Sequence, residues 1–185
     1  MTASLAYRKN EARILRGDVP DKYLRILPFI HGNKILEFGS AECVLSLLLA
    51  KEGKQVIAVE KNYDRHMAGI NLQKEWGVRG VHHVNGPINY HLDLLEGIDT
   101  LVAVRVIYYL GDNLDTVFAE AAKHVPNVVL CGNGNRANRW RMGEPDNGAE
   151  NYYASLEGMT ALLVRHGYEI VSQVCEGDQI VVGRK

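Results

Sequence analysis

Two acids, each closing an apolar run, carry most of the chemistry legible in this chain. Glu37 ends Lys34-Ile35-Leu36 and is followed by Phe38-Gly39-Ser40-Ala41-Glu42-Cys43, while Glu60 ends Gln55-Val56-Ile57-Ala58-Val59. An apolar run, a glycine turn and a second apolar run from Val44 to Ala50 read as strand, tight turn and helix N-terminus. Open parallel sheets hold adenosine-type cofactors with that arrangement. A dinucleotide turn needs G-x-G-x-x-G. Counting from Gly39, its second and third glycine positions are Ala41 and Val44, so a pyrophosphate has no close seat. A G-x-x-x-x-G-K phosphate loop is missing as well. An acid at the tip of the next strand suits a ribose, because its two oxygens can accept from both hydroxyls. Each acid also has a plainer role: Glu37 as counter-charge to a helix N-terminus, and Glu60 as a solvated strand end.

Further candidates sit at later strand tips. Arg105 follows Val104 and either faces an anionic ligand group or pairs with Glu37 or another strand-tip acid. Tyr108 and Tyr109 either wall an acceptor pocket or pack in the core. Gly132-Asn133-Gly134-Asn135-Arg136-Ala137-Asn138-Arg139-Trp140-Arg141 combines three Arg with a Trp. Arg forks grip phosphates or carboxylates and Trp offers a stacking face, so Asn133, Arg136, Arg139 and Trp140 are substrate candidates. Glu144, Asp146 and Glu150 could equally make this a structural ion-pair loop. The seven His show no ligand spacing with Cys or acids, so no metal is expected; His66 or His91 could supply a base.

The 185 residues suffice for one domain with a sizeable core. Twenty-one Lys and Arg against 22 Asp and Glu leave no global field to recruit nucleic acid or membrane. Apolar runs are too short to span a bilayer, and the first residues lack a signal-peptide apolar segment. Cys43, Cys131 and Cys175 are odd in number and widely spaced, as in a reduced cytoplasmic protein.

Helical segments are expected at about 4–16 and around Tyr23, Leu24, Ile26 and Leu27, opened by Asp18 or Asp21 near Pro20. Strands are expected at 34–38, 55–60, 79–85, 99–104 and 127–131, with helices at 42–52, 63–76 and 113–124 between them. A polar loop of 132–151 leads to a helix at 153–166 capped by Gly167. Two strands, 168–174 and 178–183, follow. Glu176-Gly177-Asp178 joins them too tightly for anything but an antiparallel hairpin. The expected architecture is α/β: a Rossmann-like, mostly parallel seven-stranded sheet with an antiparallel C-terminal hairpin and helices on both faces.

Glu37-Phe38-Gly39-Ser40-Ala41-Glu42-Cys43, Glu60 and the closing hairpin together resemble the class I S-adenosylmethionine-dependent methyltransferase family over residues 30 to 185. Its first motif is an acid, any residue, Gly, three residues, Gly. The resemblance implies S-adenosyl-L-methionine as cofactor, S-adenosyl-L-homocysteine as product, and a cofactor site at Glu37, Phe38, Gly39, Ser40, Ala41, Glu60, Lys61, Asn85, Ile88, Val104 and Arg105. Two positions depart from the family pattern. Cys43 replaces the second motif glycine, adding a side chain near the cofactor. Pro87 stands where an acid often faces the adenine amine, leaving Asn85 as acceptor and Ile88 as apolar wall. The resemblance implies residues 34–185 as a single methyltransferase domain, with 1–33 as a helical lid carrying Tyr7 toward the substrate. The expected activity is methyl transfer to a small-molecule or glycan acceptor, on the two-acid pattern and the compactness of the chain; the fourth strand tip lacks the Asn/Asp-Pro-Pro-aromatic run of DNA-base and amide N-methylating enzymes, which disfavours that subclass. Two alternatives remain: an RNA or protein methyltransferase using the Arg-rich 133–141 loop, and a cofactor-fold protein that binds or assembles without catalysis.

Overall fold

The computed structural model describes residues 13, 14, 16–141 and 151–185, and for Trp140 and Arg141 the backbone only. Tyr7, most of the expected first helix, and Glu144, Asp146 and Glu150 lie outside the described residues. Seven strands form one sheet: β1 (Lys34–Phe38), β2 (Gln55–Glu60), β3 (Val81–Asn85), β4 (Thr100–Val104), β5 (Asn127–Gly132), β6 (Glu169–Glu176) and β7 (Asp178–Arg184). Their order is β3-β2-β1-β4-β5-β7-β6. Strands β1 to β5 run parallel, and β7 lies antiparallel between β5 and β6. The order reverses between β1 and β4, and a ligand crevice opens at such a point beyond the carboxyl ends of the strands.

Alternation along the strands divides the core in two. Ile35, Val56, Ala58 and Val102 face α1 (Asp21–Ile26), α2 (Val44–Lys51) and α3 (Tyr63–Trp76). Leu36, Phe38, Leu101 and Val128 face α4 (Leu114–His124) and, with Val181, the helix Leu156–Arg165. β4 and β5 are buried along their whole length, as near-continuous apolar runs in a sheet covered on both faces should be. Among the described residues, no helix is long and apolar enough to cross a membrane.

Three helical segments depart from expectation. The 132–151 stretch is not a continuous loop, because α5 spans Gly134–Arg141. The sequence there has no apolar period. The helix is started instead by Asn133, whose side chain accepts from Asn135 N at 3.0 Å and whose carbonyl accepts from Ala137 N at 3.0 Å. Ala137 is fully buried, and a Cβ on Gly134 would stand 2.2 Å from Gly177 O. Close contact with the hairpin turn therefore holds α5 down. The final helix, α6, begins at Leu156 because Ser155 caps it, accepting from Gly158 N at 3.1 Å.

The turn between β1 and α2 explains why the helix begins at Val44 rather than at 42. Ala41 and Cys43 both adopt left-handed backbone, at φ 54° and 58°, which a helix cannot continue through. A Cβ on Gly39 would meet Val106 Cγ2 at 2.3 Å, so only glycine lets the turn lie against the β4 loop. Cys43 turns its side chain away from the crevice beyond the strand ends. The thiol packs on α3, where a Cβ at Gly69 would lie 2.6 Å from Sγ. It also lies 3.3 Å from Ser40 Oγ and 3.4 Å from His83 Nδ1. Helix α3 makes room for the Cys43 side chain with Gly69.

The alanine at a helix interior position normally stabilises by about 1 kcal/mol over glycine, yet Gly69→Ala is expected to destabilise, since overpacking costs roughly 1–3 kcal/mol. Adding Cys43→Gly should recover the loss. Thermal unfolding of both variants checks this; a Gly69→Ala protein as stable as the parent would refute the packing account.

Candidate functional site

A cavity of about 650 Å³ opens at the carboxyl ends of β1, β2 and β4. Strand parity sets its chemistry. Glu37 shares the α2 face with Ile35, so its carboxylate meets the first turn of α2. There Oε2 accepts from Ser46 N at 3.0 Å and from Ser46 Oγ at 2.6 Å. Cys43, the residue before the helix, offers no side-chain cap, and Glu37 supplies it from the strand. The acid is 1% exposed. Burial pushes its carboxyl up to about 7, against the pull of the Ser46 bonds and the Lys22 ammonium, with the Glu60 charge adding to the rise. The helix-capping role thus holds for one oxygen, while the residue also lines the cavity.

Glu60 is fixed by backbone amides. Its Oε2 accepts from Ala41 N at 2.9 Å and its Oε1 from Asn62 N at 2.8 Å. The first bond ties the β1–α2 turn to the tip of β2, and each oxygen keeps a lone pair for another donor. Arg105, at φ 56°, forks onto Asp178 of β7, with Nε and Nη2 at 2.9 and 2.5 Å from Oδ1. Arg105 therefore pairs with an acid, and that acid is Asp178 rather than Glu37. Arg65 on α3 similarly holds Glu42, at 3.2 Å.

Of the residues expected at the cofactor site, Glu37, Phe38, Gly39, Ala41, Glu60, Lys61, Ile88, Val104 and Arg105 line the cavity. Ser40 and Asn85 do not. The Ser40 hydroxyl turns to Cys43, and the Asn85 amide donates to Glu60 O at 2.8 Å, so Gly86, Pro87 and Asn89 form the wall there instead. Tyr108 is buried in the core, and Tyr109, 51% exposed, takes the wall position. Arg136 lies over both rings, 4.9 and 5.2 Å from their centroids, and donates to Tyr109 Oη at 3.2 Å. Asn133, Arg136 and Arg139 do not themselves line the cavity. His66 is buried on the α3 side against His83, and His91 packs over Gly86; neither reaches the cavity.

Lys22 and Tyr23 on α1 line the cavity without having been singled out from the sequence. Their place in a short helix just before β1 is the signal in the sequence: a lysine beside an aromatic at the entrance to the first strand. Burial lowers the Lys22 ammonium, as does the neighbouring Arg105 charge, while Cys131, Asp178 and Glu37 oppose the shift. Burial pushes the Tyr23 phenol up, and the charges of Glu37 and Glu42 add to the shift.

Neither a protein-family model nor a curated protein matches the sequence. Solved structures do match by fold. The N-terminal domain of EvdMO1, crystallised with S-adenosylhomocysteine, is 16% identical over 89% of this chain and 79% of its own, with a TM-score of 0.63; another of its structures was obtained in the presence of S-adenosylhomocysteine and D-fucose. An S-adenosylmethionine-dependent methyltransferase from Aquifex aeolicus is 15% identical over 94% of this chain and 97% of its own, with a TM-score of 0.66. Magnesium protoporphyrin IX methyltransferase from Synechocystis PCC 6803, with bound S-adenosylhomocysteine, is 12% identical over 100% and 90%, with a TM-score of 0.68. The chain has the class I S-adenosylmethionine-dependent methyltransferase fold.

The raised Glu37 carboxyl predicts a pH signature. A carboxyl held above its unfolded value of 4.5, at about 7, makes the folded state take up protons. Stability is therefore lost as pH rises through that window, by roughly 3 kcal/mol in full. Glu37→Gln keeps an acceptor for Ser46 and removes the titration. Unfolding followed between pH 5 and 8 should show the wild type weakening relative to this variant. Parallel curves would refute the assignment.

Proposed function

We propose that this protein is an S-adenosylmethionine-dependent methyltransferase acting on a small-molecule or glycan acceptor. The observation that carries the reading is Glu60. Two backbone amides hold its carboxylate rigid at the tip of β2, beside the glycine turn, with one acceptor site free on each oxygen. That geometry suits the two hydroxyls of a ribose. The tight Gly39 turn admits the backbone close to the ligand, and Val59, Pro87 and Ile88 offer apolar wall for an adenine.

When bound, S-adenosylmethionine supplies an electrophilic methyl on a cationic sulfonium. Displacement from it is in-line, so alignment can provide most of the acceleration. The protein's residues have three tasks. Glu37 and Glu60 give the cavity negative potential, favourable to a cation. Asp178 neutralises Arg105, which would otherwise oppose the sulfonium. Val106, Tyr109, Leu110 and Asn113 bound the space beyond the β4 tip, where a neutral ring bearing hydroxyls could rest on the tyrosine. The EvdMO1 structure obtained with D-fucose supports a sugar-sized acceptor by analogy of fold.

Two observations favour this reading over its rivals. Cys43, which departs from the family motif, points at Gly69 and away from the cavity, so it does not argue against cofactor binding. Arg136 is engaged with Tyr108 and Tyr109, which weighs against a helix free to grip polyanions. The buried free thiols Cys43 and Cys131 suit a reducing compartment such as the cytoplasm.

Titration calorimetry with S-adenosylhomocysteine tests the proposal. Glu60→Ala should weaken binding roughly 100-fold, the equivalent of two charge-assisted hydrogen bonds, and Glu60→Gln by less. Absence of binding to the wild type at sub-millimolar concentration, or an unchanged affinity in Glu60→Ala, would defeat it. Transfer of a labelled methyl group to candidate acceptors then identifies the substrate.

A further inference from the structure

The wall of the cavity beyond the β4 tip is held from outside the cavity. Tyr109 closes the short 3-10 turn Ile107–Tyr109 after β4, lines the cavity and is half exposed. Arg136 on α5 does not line the cavity, yet its guanidinium lies 5.2 Å from the centroid of the Tyr109 ring. One face of the ring is therefore covered on the side away from the cavity, and the other face is the one a ligand meets. Buried Tyr108 packs against Tyr109 with the rings tilted by 60° and their centroids 4.6 Å apart, and the same guanidinium lies 4.9 Å from its centroid. The Asn133 side chain, just before α5, hydrogen-bonds Tyr108. The loops leaving two adjacent strands, β4 and β5, are thus fastened together around one exposed ring.

That ring offers an apolar face with polar groups at its edge. Arg136 Nη2 donates to Tyr109 Oη at 3.2 Å, so the phenol keeps its own hydrogen to donate. Asn113 also lines the cavity. Its Nδ2 lies 3.5 Å from Leu110 O, and its Oδ1 receives no bond among the described residues. Val106 and Leu110 supply the apolar wall beside them. A flat apolar surface flanked by a free donor and a free acceptor matches a sugar ring, whose C–H face is apolar and whose rim carries hydroxyls. A phosphate chain fits less well. Of the charged groups lining the cavity, Arg65 and Arg105 are held by Glu42 and Asp178, and Lys22 and Lys61 are offset by Glu37 and Glu60.

We infer that Tyr109 is the stacking platform for a sugar acceptor, and that Arg136 is a positioning residue that acts on the acceptor only through the Tyr109 ring. This rests on the methyltransferase reading above and narrows its acceptor to a hydroxylated ring. The pose of the platform is set from far along the chain. The close approach of Gly134 to Gly177 O and the burial of Ala137 fix α5, and α5 carries Arg136 to the ring. Arg136 itself lies outside the cavity, and methyl transfer is left to alignment.

Saturation-transfer NMR with D-fucose as the probe, at saturating S-adenosylhomocysteine, tests the inference. The C–H protons on one face of the sugar should receive saturation from the wild type. Tyr109→Ala should weaken D-fucose binding about 3- to 10-fold, and Tyr109→Trp should retain it. Arg136→Ala should weaken it about 3-fold, yet cost nothing further when added to Tyr109→Ala. Calorimetry should give all these variants the wild-type affinity for S-adenosylhomocysteine, which also shows that they are folded. Additive losses would make Arg136 an independent support and overturn its positioning role. Unchanged D-fucose binding in Tyr109→Ala would overturn the platform, as would tighter binding of a uridine oligonucleotide than of the sugar. If the wild type binds S-adenosylhomocysteine and not D-fucose, the inference fails while the cofactor reading stands. If it does not bind S-adenosylhomocysteine, both fail.

Discussion

A single buried carboxylate organises the functional edge of this molecule. Strand parity delivers Glu37 to the α2 face of β1, where the first turn of a helix presents amides with no partner of their own. The bond to Ser46 therefore satisfies the helix, ends the strand and fixes the left-handed turn between them. The cavity wall is built on that turn. Glu60 repeats the logic from the neighbouring strand, reaching back to Ala41 N. Two acids on adjacent strands thus clamp one five-residue turn from both sides. The two acids line the cavity, and they also hold the turn in its shape.

The strands were legible because burial on both faces demands uninterrupted apolar runs, as in β4 and β5, and because Glu176-Gly177-Asp178 permits only a hairpin. Helix α3 was legible to the residue because both ends are written locally: Asn62 caps the start, accepting from Arg65 N, and Gly77 in left-handed conformation closes it. What escaped reading depends on distance along the chain. Arg105 and Asp178 lie 73 residues apart, and no local pattern joins them. The direction of Cys43 depends on a glycine one helix away. Helix α5 has no apolar period, because a cap and a close approach to the hairpin turn hold it rather than a buried stripe. Lys22 sits in a helix too short to show its orientation by periodicity.

The cavity is also a lesson in charge bookkeeping. Its arginines are each assigned to an acid by fork geometry, which fixes their positions and quiets their fields. What is left over, two lysines and the open oxygens of two glutamates, gives the cavity its polarity. Sequence composition, close to neutral overall, contains no hint of this local imbalance.

The Arg105–Asp178 pair has a consequence for how the molecule comes together. β4 and β7 are not neighbours in the sheet, since β5 lies between them, and β7 enters between β5 and β6 from late in the chain. Until it does, Arg105 lacks its acid and the fully buried β5 has an open edge. Such long-range closure is slow relative to local helix formation. Without the hairpin, the tip of β4 would carry an unneutralised guanidinium, so the charge of the crevice depends on the last strand of the chain. The strand that covers the edge of β5 is also the strand that supplies the acid for Arg105, so one element closes the sheet and sets the crevice's charge.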